Sequence, residues 1–97
     1  MEKQKSIPSS NLLDPKTLPP KDQKACGIAW LPRILPKARA KLRGELPPEV
    51  MYGCGGDREF FKSNQIHAAE FLSIVYFYGD DDDAVIEWVV KRKSSLA

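Results

Sequence analysis

Three side chains in this sequence are of types that bind metal ions or attack substrates: Cys26, Cys54 and His67. Thiolates and imidazoles are common zinc ligands, and a thiolate next to a histidine is a strong nucleophile. The sequence contains no Cys-x-x-Cys pair and no second histidine, and it indicates no fourth ligand. We therefore predict no catalytic residue, no cofactor and no metal, with these three residues as weak metal-site candidates only. A small enzyme or metal-binding protein that uses them is kept as an alternative.

The two cysteines are expected to be free thiols that behave as small apolar residues in or near the core. Only in an exported protein would a disulfide between Cys26 and Cys54 be expected. The chain has no recognisable signal peptide and no run of about 18 apolar residues, the length that a membrane span needs. We therefore expect a cytoplasmic protein without a membrane partner.

The charge of the chain is distributed unevenly. Residues 1–43 hold ten Lys or Arg and three Asp or Glu, a net charge of +7, whereas residues 44–97 carry −5. The basic residues of the first predicted helix flank both sides of its apolar stripe, as long side chains do at the edge of a buried face. These residues are Arg33, Lys37, Arg39, Lys41 and Arg43. Nucleic-acid binding through this helix is a second candidate function, which we do not favour because the charges do not gather on one outward face.

The apolar spacing predicts an all-α fold, a small bundle of about four helices in residues 27–97. A proline-rich, poorly ordered leader is expected over residues 1–26. Helical periodicity begins at Trp30 and continues to Arg43, Gly44 ends the helix, and Pro36 means that the helix either kinks there or starts near Leu35. Its inward stripe is predicted to contain Leu31, Ile34, Leu35, Ala38 and Leu42.

Three shorter helices are predicted in the second half of the chain. Asp57 is expected to cap the first of them, over Arg58–Ser63, and His67 the second, from Ala68 to about Tyr78. The aspartates at 80–83 suit the start of the third, about Asp82–Lys93, because they lie at the positive end of its dipole. The inward residues of the first and third are predicted to be Phe60, Phe61, Val85, Trp88 and Val89.

The helix that begins at Ala68 is apolar on almost every side, which is typical of a central helix or one that packs against a partner. Its last three residues, Tyr76, Phe77 and Tyr78, are aromatics of the kind enriched at interfaces, and they equally suit an internal core. We predict a non-enzymatic helical protein-interaction module. Its partner would be an unidentified protein or a second copy of the chain.

Several short segments follow one another along the sequence: Trp30-Leu-Pro-Arg33, Lys37-Ala-Arg-Ala-Lys-Leu42 with Gly44, Asp57-Arg-Glu-Phe-Phe61, Ala69-Glu-Phe-Leu72 and Glu87-Trp88-Val89. Over residues 26–92 this order resembles a small bacterial family, domain of unknown function 5069. The resemblance implies a compact helical domain in a bacterial cytoplasm and assigns no activity, substrate or cofactor. The chain differs from the family pattern at Pro36, where an acidic residue is usual, and at His67, where Asp is usual. Members of the family often continue past residue 97 with a further helix.

Overall fold

The computed structural model describes residues 12–95, so most of the first half of the predicted leader lies outside the described residues. Within this range the chain forms a short 3-10 turn, a two-stranded hairpin and four α-helices. The turn is Pro15–Thr17, and the antiparallel strands are β1 (Lys24–Ala25) and β2 (Ile28–Ala29). The helices are α1 (Leu31–Arg43), α2 (Gly56–Asn64), α3 (Ala68–Tyr78) and α4 (Asp82–Ser94). The fold is therefore mostly α, and the small sheet is a correction to the all-α prediction.

The hairpin turns at Cys26 and Gly27, whose φ angles are 49° and 79°. Two central residues with positive φ are the mark of the tight turn that matches the twist of antiparallel strands. The predicted boundary between residues 26 and 27 falls within this turn. The sequence signal was missed because such a turn usually begins with Asn, Asp or Gly, and this one begins with a cysteine.

Helix α1 begins at Leu31 and continues through Pro36, so the alternative of a start near Leu35 is wrong. Pro32 lies in the first turn, where its missing N–H costs nothing, and Gly44 ends the helix in the left-handed conformation at φ 71°. The predicted stripe is buried with one exception: Leu42 is 42% exposed. Leu42 lies in the last turn of α1, where its neighbours Lys41 and Arg43 are exposed as well.

The core lies where α1 packs on α3 and α3 packs on α4. Phe60 and Phe61 are buried, as predicted, and the Phe60 ring meets the ring of Phe71 edge to face at 5.7 Å between centroids. Val85 and Val89 of α4 are completely buried, which confirms its predicted inner face, while Trp88 is half-buried. The edge-to-face contact between Phe60 and Phe71 adds stability beyond that of the surface area the two rings bury.

A buried carboxylate connects α1, α2 and the loop between them. Asp57 is 0% exposed, and Lys37 Nζ of α1 lies 2.7 Å from its Oδ2. Trp30 Nε1 donates to Asp57 Oδ1 at 2.6 Å, and the Gly53 backbone N–H donates to Oδ2 at 3.1 Å. We call these four residues the Asp57 cluster. Burial of a carboxylate is costly unless it is paired and hydrogen-bonded, and here three donors meet that requirement.

The prediction that Asp57 caps a helix is wrong. Helix α2 begins two residues before the predicted start at Arg58, at Gly56, and Gly55 holds the N-cap position. Asp57 is stable in the interior because Lys37 compensates its charge and Trp30 donates a hydrogen bond to it. Its charge also acts on Tyr52, whose hydroxyl donates to the Ala68 carbonyl at 2.7 Å. Burial, with the Asp57 charge as a second cause, raises the pKa of Tyr52 well above its ordinary value.

The caps of α3 and α4 agree with the sequence. His67 occupies the N-cap of α3, where its backbone N–H donates to Glu70 Oε1 at 3.4 Å, and Gly79 ends this helix. Asp81 caps α4 by accepting the Ala84 N–H at 3.1 Å. Each cap satisfies backbone groups that a helix end would otherwise leave unpaired.

Arg92 of α4 holds the first turn of α3. Its two terminal nitrogens donate to both carboxylate oxygens of Glu70, at 3.2 and 2.7 Å, and one of them also reaches the Gln65 carbonyl at 2.8 Å. The guanidinium lies over the Trp88 ring, 4.7 Å from its centroid. The hydrogen bonds from Arg92 are the main cause that lowers the pKa of Glu70 below its ordinary value.

Replacement of Asp57 by Asn should destabilise the protein by about 3–5 kcal/mol, because it leaves the Lys37 ammonium buried without a counter-charge. The double variant Lys37→Met/Asp57→Asn should be more stable than Asp57→Asn alone, because it also removes the buried ammonium that the single substitution leaves without a counter-charge. Urea unfolding followed by circular dichroism measures the free energies of unfolding of the wild type, Lys37→Met, Asp57→Asn and the double variant. Strictly additive effects of the two substitutions would contradict the described pairing.

The Glu70→Gln variant should melt at a lower temperature than the wild type at pH 7, with a gap that closes on acidification. A carboxyl whose pKa is depressed on folding stabilises the folded state above its unfolded pKa, near 4.5 here, and loses this effect as the pH falls through the folded pKa. Thermal unfolding from pH 7 to pH 3 tests this. The Glu87→Gln control removes an exposed pair with Lys91, 3.5 Å long, and should change the melting temperature less.

Candidate functional site

One side of α3 faces away from the rest of the described chain. Phe71 and Val75, four residues apart, point into the core. Residues on the opposite side of a helix with 3.6 residues per turn are then 69, 73, 76 and 77. All four are exposed, and we call them the outer face of α3: Ala69, Ser73, Tyr76 and Phe77.

The aromatic side chains of this face are almost fully in contact with solvent. Tyr76 is 78% exposed and Phe77 is 77% exposed, more than the other large apolar side chains exposed in residues 12–95. The third predicted interface residue, Tyr78, is half-buried, and its ring meets that of Phe77 edge to face at 5.0 Å. The structure thus separates the three aromatics: Tyr78 packs against the core, while Tyr76 and Phe77 form an apolar surface.

The apolar surface extends from α3 onto the end of α1. Leu42 lies with Tyr76 and Val75 around a shallow depression of about 210 Å³. Charged groups at its edge are already paired, since Arg43 Nη2 lies 3.4 Å from Asp80 Oδ1. An apolar centre with polar groups around it is the usual composition of a protein interface.

The basic residues of α1 do not form a common exposed surface. Lys37 is buried beside Asp57, and Arg33 Nη1 donates to the Pro19 carbonyl at 2.8 Å while its guanidinium lies 5.4 Å from the Trp30 ring centroid. Arg39 is paired with Asp82, and Arg43 with Asp80, so their charges are partly neutralised. Lys41 is exposed. The sequence predicted charges on both edges of the helix but not their partners, which come from residues far along the chain.

The residues considered for metal binding or catalysis are dispersed over three different local settings. Cys26 lies in the hairpin turn and Cys54 in the glycine-rich loop before α2, and both are exposed free thiols. The expectation of free thiols is confirmed, whereas the expectation that they lie in or near the core is wrong, because each lies in a turn or loop at the surface. His67 caps α3. Within residues 12–95, no three His, Cys, Asp or Glu side chains are arranged to hold a metal ion.

The Asp57 cluster was missed by reasoning from the sequence. Lys37 and Asp57 are twenty positions apart, so no local spacing links them. Lysine and aspartate are residue types that are mostly found at the surface, so neither one by itself predicts burial. The available signal was the placement of Lys37 close to the apolar stripe of α1.

None of the helices in residues 12–95 combines the length and apolar composition required to cross a bilayer.

Comparison with known proteins found no match among curated proteins and none among solved structures. Comparison with protein families matched residues 19–96 to one family, described as Domain of unknown function (DUF5069). This match includes the hairpin and all four helices of the described chain, and it confirms the resemblance seen in the sequence segments. The chain belongs to the DUF5069 family.

Proposed function

We propose that this chain is a protein-interaction module that associates with a second copy of itself through the outer face of α3. The observation that carries the proposal is the exposure of two adjacent aromatics, Tyr76 and Phe77, at 78% and 77%. Burial of a large aromatic side chain is favourable by about 2 kcal/mol relative to its exposure to water. A partner that covers both rings gains this free energy.

The shape of the outer face favours a second copy as the partner. Its first half carries the small residues Ala69 and Ser73, and its second half the large residues Tyr76 and Phe77. When two such helices lie antiparallel about a two-fold axis, the aromatics of each copy lie over the small residues of the other. In this arrangement Phe77 faces Ala69 of the other copy, and Ser73 lies next to the axis. A two-fold interface must be self-complementary in this way.

The charge of the face is also compatible with a copy of itself. Between Glu70 and Asp80, α3 carries no ionisable acid or base other than its two tyrosines, and Glu70 is bound by Arg92. Two identical faces therefore meet without like-charge repulsion, which is destabilising at the core of an interface. The paired Arg43 and Asp80 lie at the edge, where they remain hydrated.

The dimer is expected to be weak and reversible. The eleven residues of α3 extend over about 17 Å, so this face with Leu42 buries less surface than a standard stable interface. We expect a dissociation constant in the micromolar range or weaker. Cys26 and Cys54 are exposed free thiols, which are readily oxidised outside a reducing compartment. Their exposure favours the cytoplasm as the location of the protein.

Substitution of Phe77 by Ala should weaken the dimer about tenfold or more, because its ring is one of the two large apolar groups that the proposed interface covers. Sedimentation equilibrium over a wide concentration range measures the effect. The matched control is Met51→Ala, which removes another exposed apolar side chain, 62% exposed, that does not belong to the outer face of α3. A wild-type chain that stays monomeric at millimolar concentration would reject self-association, and equal effects of the two variants would reject the outer face.

A cysteine at position 73 should cross-link two copies under mild oxidation, because the antiparallel arrangement brings this position next to its own symmetry mate. The experiment uses Ser73→Cys in a Cys26→Ser/Cys54→Ser background, so that the native thiols do not contribute. Lys62→Cys, at an exposed position of α2, is the control. Non-reducing electrophoresis should show a covalent dimer for the first variant and little for the second. Similar yields from both would exclude the antiparallel geometry.

A further inference from the structure

A cleft of about 420 Å³ opens between the β1–β2 hairpin, α2 and the last turn of α4. This volume is typical of sites for small organic molecules. None of the residues that line it belongs to the outer face of α3, so the cleft is independent of the proposed interface. Its walls, its charges and one unpaired polar atom together indicate what it could bind.

The apolar walls of the cleft are held in place from behind. Ile28, Trp30 and Phe60 line it, and Trp30 is fixed by the hydrogen bond from Nε1 to Asp57 at 2.6 Å. The Trp30 backbone has φ 75°, a left-handed conformation that is strained for a bulky residue. Such strain is concentrated at ligand-binding and catalytic sites, where the surrounding structure maintains it.

Gly56 makes the position of this indole possible. A Cβ at residue 56 would lie 2.1 Å from Trp30 Cζ2, so the ring fits only against a residue without a side chain. The ring therefore stands in one place before any ligand arrives. A wall that is fixed in advance lowers the entropic cost of binding.

The charges around the cleft favour an anionic group. Lys24 of β1 and Lys93 of the last turn of α4 both line it, although they are far apart in the sequence. The carboxylate of Glu59 also lines the cleft and accepts a hydrogen bond from Ser63 Oγ at 3.1 Å. The lining has an excess of one positive charge, so a single carboxylate would restore neutrality.

One polar atom at the inner wall has no partner. Asn64 is 3% exposed, and its Nδ2 donates to the Phe60 carbonyl at 2.8 Å. Its Oδ1 is buried and accepts no hydrogen bond from the described residues. An unsatisfied buried acceptor destabilises the folded chain, and a ligand with an N–H or O–H group would satisfy it after a small rotation of the side chain.

We infer that this cleft binds a small aromatic carboxylate that carries a hydrogen-bond donor at the end remote from the carboxylate. The ring lies against Trp30 and Phe60, the carboxylate lies between Lys24 and Lys93, and the donor reaches Asn64 Oδ1. No bond is made or broken. The ligand is recognised by its apolar ring, its charge and its donor.

Two-dimensional ¹H–¹⁵N NMR of the full chain tests the inference with 4-hydroxyphenylacetate as the probe. The indole N–H signal of Trp30 should shift saturably, with a dissociation constant on the order of millimolar, while that of Trp88, which lies outside the cleft, should not. Phenylacetate lacks the donor and 2-(4-hydroxyphenyl)ethanol lacks the charge, so both should bind at least threefold more weakly. The absence of any saturable Trp30 shift would overturn the inference, as would equal affinity for all three probes.

A second experiment removes the two positive charges of the cleft by substitution with glutamine. Lys24→Gln/Lys93→Gln should weaken binding of 4-hydroxyphenylacetate roughly fivefold and leave binding of the uncharged alcohol unchanged. The matched control, Lys41→Gln/Lys62→Gln, removes the same charge from exposed positions outside the cleft and should leave both affinities unchanged. Equal loss of affinity in the two double variants would show a general effect of net charge and would overturn the site.

Discussion

The ion pair of Lys37 with Asp57 is the constraint on which the rest of the structure depends. It places one point of α1 against the first turn of α2 at an Nζ–Oδ2 distance of 2.7 Å, inside the protein rather than at its surface. The same carboxylate holds the Trp30 indole and the Gly53 backbone, and so it also sets the path of the loop between the helices. A buried pair of this kind gives little net stability, but it strongly disfavours arrangements that leave either charge unpaired.

The Lys37–Asp57 ion pair affects two separate surfaces of the molecule. On one side, the indole forms a rigid wall of the cleft beside the hairpin. On the other side, α1 presents its apolar stripe to Phe71 and Val75 of α3, which determines which side of α3 is buried. The remaining side of this helix then carries Tyr76 and Phe77 outward. The exposed aromatics thus result from the packing of the helix, and not from a separate surface motif.

The secondary structure was largely predictable from local patterns. The cap at His67, the stop at Gly79 and the run of aspartates before α4 give α3 and α4 their limits, because these signals act within one or two turns. The orientation of α3 was not predictable. A helix that is apolar on nearly every side has no periodic signal to separate Tyr78, which packs inward, from Tyr76 and Phe77, which do not.

Charged residues gave the least reliable predictions, for a related reason. Asp57 before a helical segment has the local appearance of a cap, and Lys37 at the edge of an apolar stripe that of a solvated side chain. Each acquires its actual role from the other, twenty positions away. The cleft depends on Lys24, Trp30, Asn64 and Lys93, which only the folded chain brings together.

The contact between Gly56 and the Trp30 ring couples two positions in the evolution of this chain. With an indole at position 30, even an alanine methyl group at position 56 overlaps the ring. A smaller residue at position 30 would remove this steric limit, but it would also deprive Asp57 of its indole donor. Homologues that carry a side chain at position 56 should therefore have exchanged the tryptophan as well, and should satisfy the buried carboxylate in another way.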